Sequence, residues 1–497
     1  MKLVLSALIL LWNTNPGALA QSSGTSLVRP DTEAAFVYRP QDTLFWSEVE
    51  NGMRDKNYTY VIKIGNQKAR DSKGDSLDQA EGRLAMAGVM KQLGLNFGAT
   101  EMYRELAKTK PGTQVAFQAL TEIERIIKTF PSDFESLTGD LILDQDVDNW
   151  PKHLTDFTAY VNAEFNRLSG YDQWADAEYK KITPESYWDF KVKYNLALAD
   201  VAAGRIDSAI ERFSSISSNQ AAPATLRTEA THQYARLVFE KGDFVQSNKI
   251  LKGVDLGARE RGLVLLERAW AKYYLKDYSR SLGLLAALDA PIFEPARSGE
   301  ASVLKMLIYK ELCYYDAVAD VAKDFNKRFA KSMEAIRKRR DLRQDQGIVH
   351  LSVLDPRILV HVDFLNQLKE ERRIWSREGL DKNEALAGFT KRYDFKIREL
   401  NEILNWKLLK KTREVGDLVL DWADQVSFLD YQSRVDGLRI QRITEDGYKS
   451  EEVPHMTFDR VYWTFTNEYW LDELDSLKVL VSSQCKAGGT GAPKGAR

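Results

Sequence analysis

The sequence predicts an all-α protein: a right-handed solenoid of stacked helix pairs, a long α-helical hairpin after it, and a small antiparallel β element towards the carboxyl end. Three observations lead there. Helix-stop signals recur near residues 204, 242, 276 and 314, a step of roughly 34 to 38 residues, which is the period of a helix-pair repeat. An apolar stripe at three- and four-residue steps then runs without proline from Asp381 to about Arg434. Beyond it the composition turns aromatic and β-prone.

The chain begins with Met1-Lys2, an apolar run over Leu3–Trp12, a break at Pro16, and Ala18-Leu19-Ala20 before Gln21. That is the pattern of a secretory signal peptide over residues 1–20, and the apolar run is about half of a membrane-spanning length. The mature protein is therefore expected to be exported, either periplasmic or outer-membrane-associated. Residues 21–80 read as an N-terminal lead and loop. Thr59–Ile64 fits either a short strand or one side of a helix, and Asn57-Tyr58-Thr59 fits a glycosylation sequon.

The solenoid is assigned to residues 81–345. Its units read Leu196-Ala197 … Gly204 … Ala209 … Phe213, then Tyr234-Ala235 … Gly242-Asp243-Phe244 … Leu251. Ala269 … Lys276-Asp277-Tyr278 … Leu285 and Leu312-Cys313-Tyr314-Tyr315 … Val321 follow. An earlier unit, Leu84-Ala85 … Gly94 … Phe97-Gly98-Ala99 … Tyr103 … Pro111, keeps the same order. Small residues let paired helices approach, glycine ends the first helix in a left-handed turn, and the aromatic packs into the hairpin. One pair cannot cover its own apolar faces, so several must stack. These units resemble the tetratricopeptide repeat family, with Lys276 in place of glycine in one of them. The resemblance implies a right-handed solenoid that binds a protein on its concave face.

Residues 346–435 are assigned to the long hairpin: a helix over 358–377, a stop near Gly379, and a capping-box-like start at Asp381-Lys382-Asn383-Glu384. The second helix carries Leu386, Phe389, Tyr393, Ile397, Leu400, Leu404, Leu408, Val415, Leu418, Trp422, Val426 and Leu429 on one face. At about 50 residues it spans roughly 75 Å. Trp422, Val426 and Leu429 are expected against the hairpin's first helix. The rest of the stripe is expected to meet the solenoid and the β element, a second copy of the chain being the alternative.

Residues 436–485 are read as the β element, from Leu438–Ile443, the turn Asp446-Gly447, Val461–Phe465, Tyr469–Leu474 and Leu477–Val481. Residues 486–497, rich in Gly, Ala and Lys, are read as a disordered tail. Tyr462, Trp463, Phe465, Tyr469 and Trp470 are the candidate binding residues, either a sheet core or rings that stack on a glycan or a partner. Tyr462-Trp463 … Glu468-Tyr469-Trp470-Leu471-Asp472-Glu473-Leu474 with the late Cys485 resembles the carboxyl end of large exported tetratricopeptide proteins of delta-class bacteria.

Composition excludes little and suggests less. A formal net charge of -2 and 29% charged residues carry no global field towards nucleic acid. The basic run from Lys323 to Arg343 suits a solvated face, with an anionic membrane surface or an acidic protein as the functional alternative. Asp140, Asp144, Asp146 and Asp148 lack the glycine and closing glutamate of a calcium loop and read as a solvated loop. The five histidines show no metal-ligand spacing, and no catalytic or cofactor motif stands out. Cys313, placed on a repeat helix, reads as a small core residue, and a disulfide with Cys485 is the other possibility. The expectation is a non-enzymatic, cofactor-free interaction scaffold of the bacterial cell envelope, binding a protein partner. A cell-wall or glycan-binding module is the alternative.

Overall fold

The structure, a computed structural model, describes residues 38, 40, 42–71, 77–130, 150–254, 258–296, 298–384, 386–443 and 474–485. Residues 1–20, Asp140–Asp148, the five candidate aromatics and the tail 486–497 lie outside them. The described chain folds into helix pairs: Thr43–Arg54 with Tyr58–Asp71, Leu77–Gln92 with Asn96–Thr109, and Lys152–Leu168 with Asp172–Tyr179. Tyr187–Ala202 with Ile206–Ser218, Ala224–Glu240 with Phe244–Lys252, Ala258–Tyr274 with Tyr278–Ala287, and Gly299–Glu311 with Tyr315–Arg337 follow. Thr59–Ile64, left open between strand and helix, belongs to a helix that buries Val61 and Ile62.

One turn is reused throughout. Gly94, Gly170, Gly204 and Gly242 each take a positive φ directly after a helix, and so do Lys276 (φ 60) and Cys313 (φ 62). At each, the next amide reaches five residues back in the helix: Leu95 N to Met90 O, Arg205 N to Asp200 O, Asp277 N to Lys272 O, Tyr314 N to Tyr309 O. This is the Schellman closure, which satisfies the orphan carbonyls of a helix end. Glycine suits it because no Cβ opposes the left-handed conformation. Lys276 and Cys313 adopt it at a steric cost of about 1–2 kcal/mol each. The predicted turn positions are therefore those observed.

The chain divides into two compact units, residues 1–234 with 353–407, and residues 235–352 with 408–497. In the first unit, Trp188 packs on Tyr160 at 4.6 Å and donates its indole N–H to buried Glu124 (2.7 Å). The helices Tyr58–Asp71 and Leu77–Gln92 cross at Gly65 and Gly82. A Cβ on Gly82 would fall onto the Gly65 carbonyl oxygen and 2.9 Å from the Ala69 amide. Gly→Ala inside a helix ordinarily gains about 0.5–1 kcal/mol. Here backbone blocks the methyl, so Gly82→Ala is expected to lose about 1–3 kcal/mol. A chemical-denaturation midpoint checks the sign.

The shorter hairpin helix, Pro356–Arg377, starts from an Asp355 cap and ends in the left-handed Gly379. Its Trp375 packs on Phe389 and Tyr393 of the following helix. Buried Glu371 accepts from the Phe97 amide at 3.1 Å and from the Tyr393 hydroxyl at 2.8 Å. Residue 95 before the helix Asn96–Thr109 is leucine and offers no capping oxygen. A carboxyl oxygen from the hairpin thus supplies the cap.

In the second unit two successive repeats share one hydrogen bond. Ser247 Oγ donates to Ala235 O (2.8 Å) and Ser281 Oγ donates to Ala269 O (2.7 Å), both serines fully buried. The long helix, Ala387–Ile443, has 57 residues. Its residues Val415, Val419, Trp422, Val426 and Leu429 share one core with Val303, Met306, Val318, Phe325, Phe329 and Met333. Tyr315 lies by Gly437, Phe329 by Trp422 and Ile336 by Gly416, so this stretch runs antiparallel to Tyr315–Arg337. The repeats cover the stripe from Val415 to Leu429.

Two expectations need correction. Trp422, Val426 and Leu429 pack on the repeat pair Gly299–Arg337, not on the first hairpin helix. That helix, at 22 residues, reaches only as far as Lys407, whose Nζ sits 3.4 Å from the Arg357 carbonyl at its start. The second correction is to the fold class: among the described residues there is no strand, and the antiparallel β element over 436–485 is absent from them. Leu438–Ile443 closes the long helix. Extending a formed helix through β-branched residues costs only tenths of a kcal/mol each, far less than nucleating a strand pair. Leu477–Val481 is extended chain without a strand partner. Val461–Phe465 and residues 469–473 lie outside the described residues, and Leu474, the last of the segment Tyr469–Leu474, lies in a turn.

Candidate functional site

The segment 474–485, a turn over 474–476 followed by chain that belongs to no helix or strand, lies on the repeats of the second unit, and from 475 to 482 its contacts alternate. Leu474 is buried. After it Asp475, Leu477, Val479 and Val481 are half-buried, while Ser476, Lys478, Leu480 and Ser482 are exposed. That period of two is the signature of an extended chain with one face covered. It is why these residues read as a strand, although the covering surface is helical.

The helices are shaped to receive it. Asp475 sits between two guanidinium groups, with Arg268 Nη1 at 2.7 Å and Arg261 Nη2 at 3.5 Å. Arg268 is only 5% exposed, so its charge needs a nearby carboxylate. Gly283 lies under the strap. A Cβ there would fall onto the Leu477 carbonyl oxygen and 2.9 Å from the Lys478 Cα. The Val479 amide donates to Ser279 O (3.1 Å) and the Gln484 amide to Leu312 O (2.9 Å). At the far end Cys485 is bonded to Cys313. Cys313 is thus no core thiol on a helix. It occupies the left-handed turn position where other repeats carry glycine, and its sulfur faces the strap.

The other sequence-derived candidates fare differently. The structure brings none of Tyr462, Trp463, Phe465, Tyr469 and Trp470 to a site, since all five lie outside the described residues. Lys323, Lys327 and Lys331 stand exposed along Tyr315–Arg337, whose other face holds Phe325 and Phe329. Lys338 pairs with Glu334 (2.6 Å) and Arg343 with Asp341 (2.6 Å), which draws the Asp341 carboxyl down to about 2. Among the described residues no group of three or more His, Cys, Asp or Glu is placed to hold a metal ion, and no helix is long and apolar enough to cross a membrane. Sequence reasoning missed Arg261, Arg268, Gly283 and Asp475. The one available signal was Leu474-Asp475-Ser476-Leu477-Lys478-Val479, an alternating run with an acid at its start.

No family model matches the chain, and no curated protein does. Among solved structures, the chain is similar to one titled "Structure of Naa15/Naa10 bound to HypK-THB" at 13% identity, covering 80% of this chain and 79% of that one. The TM-score is 0.22, and a likeness at that level carries no argument about function.

Proposed function

We propose that the protein is a non-enzymatic interaction scaffold of the cell envelope, which holds a protein partner on the surface of its helical repeats. The observation that supports this reading is the strap. One extended segment is already held on the repeats by main-chain hydrogen bonds, an ion pair and a glycine-floored contact, which is how a helical-repeat surface receives a peptide. The disulfide supports export, because such bonds persist in oxidising compartments. The leader pattern over residues 1–20 points the same way.

The test is photocrosslinking from exposed repeat positions of the full chain in the envelope fraction, one in each unit: Trp174 and Val245. One and the same protein is expected from the two sites. In purified form it should bind the full chain saturably by calorimetry. Crosslinks to unrelated proteins at each site, with no saturable binding, would remove the scaffold reading.

A further inference from the structure

We infer that the strap 474–485 is a tethered stand-in for an external ligand. The surface beneath it takes an extended partner peptide with an apolar residue, an acidic residue directly after it, and apolar residues at alternate positions thereafter. The inference rests on the scaffold reading and names the partner's chemistry. The surface dictates that pattern. Leu474 fills a closed site, Arg268 and Arg261 flank one carboxylate, Gly283 admits bare backbone, and the inward positions 477, 479 and 481 are aliphatic. Arg268 is the strongest selector. It is buried, and among the described residues its Nε has no hydrogen-bond partner and its one ion pair is with Asp475. A strap that leaves takes away the carboxylate that pairs this guanidinium, and an incoming acid restores the pair.

The strap's own hold is modest without its covalent end. Its main-chain hydrogen bonds to the repeats include those of Val479 and Gln484, and its ion pairs run from the one partly exposed carboxylate of Asp475 to Arg268 and Arg261. The bond to Cys313 therefore decides whether the surface is occupied. A dithiol reductant opens it. One thiolate attacks the Cys485 sulfur and expels the Cys313 thiolate, which takes up a proton. The second thiol then resolves the mixed disulfide, releasing Cys485 as a thiol and leaving the reductant as its own disulfide. Two electrons pass to the pair, and the strap is then held by its side chains and amides alone.

The experiment uses the full chain and a labelled peptide of the sequence of residues 474–484, which lacks the cysteine and so cannot be trapped covalently. Anisotropy should show no binding to the oxidised chain and saturable binding to the Cys485→Ser chain, with apparent affinity at least tenfold higher. A further Asp475→Lys substitution in that chain, which repels the strap, should tighten it again. A peptide with asparagine at the Asp475 position should bind the same chain at least tenfold more weakly, a readout that no folding defect can mimic. Arg268→Gln in the chain should erase the difference between the two peptides. The inference fails if the Cys485→Ser chain takes no peptide, or takes the aspartate and asparagine peptides equally. It also fails if the reduced chain exchanges straps with a second copy and elutes as a dimer. Any of these would leave the crosslinked partner of the scaffold reading untouched, so the two readings fail separately.

Discussion

Replacing Cys313 and Cys485 by serine is expected to lower the unfolding free energy of the second unit by several kcal/mol. The bond joins residues 172 apart. In the chain-entropy picture, closing a loop of that length in the unfolded state is worth about 5 kcal/mol, against a typical 2–4 for measured bridges. The observed loss should fall below the upper figure for a reason visible in the strap. Once unbonded, residues 474–485 regain chain entropy in the folded state as well, which offsets part of the unfolded-state gain. Denaturant unfolding of the oxidised and double-serine chains measures the total. Hydrogen exchange separates its parts: the Val479 and Gln484 amides, bonded to Ser279 and Leu312, should exchange quickly in the variant. The Trp422 core should stay protected under native conditions. Equal exchange at Val479 in both chains would mean that the strap holds without its bond.

The repeat architecture was legible because its signals are local. Gly204 and Gly242 announce left-handed turns by having no side chain, and the apolar residues keep helical spacing on either side. Lys276 and Cys313 do the same task without the signal, and the register carried the prediction across them. The Cys313–Cys485 bond was not legible. Its evidence is that a turn position 172 residues upstream faces the strap, and no periodicity reports that. The apolar stripe of the long helix was read correctly as something covered. Its partner at Trp422 was not, because Phe325 and Phe329 make a helical face that would accept any complementary ridge. The β element failed for a physical reason of its own. Alternation reports one covered face of an extended chain, and cannot say whether strands or helices cover it. Likewise the cap of the helix starting at Asn96 lies 274 residues away in Glu371, beyond any capping pattern read locally.

Stability should fall as pH rises from about 4.5 to 7, and two buried carboxyls account for most of the fall. Burial pushes the Glu371 carboxyl up to about 7, although the Tyr393 hydroxyl and the Phe97 amide favour its charged form. Burial likewise pushes Glu300 up to about 7, against the hydrogen bond from the Trp270 indole and with Glu267 nearby. Each acid keeps its proton in the folded chain over a range where the unfolded chain has lost it. The stabilisation is therefore fully present below the unfolded value near 4.5 and is gone above 7. A shift of that size is worth roughly 3 kcal/mol per carboxyl. His153, lowered by burial, acts in the opposite sense, losing stability as pH falls below its ordinary value, and so blunts the slope. The two acids lie in different units, which makes them separable. Denaturation at pH 5 and pH 8 should show the drop in the wild-type chain. Glu371→Gln should remove it from the first unit and Glu300→Gln from the second. In each case the glutamine oxygen still accepts the donor that the carboxylate held, from the Phe97 amide or the Trp270 indole. An undiminished drop in both variants would move the titration to other groups and return Glu371 to the role of a charged cap.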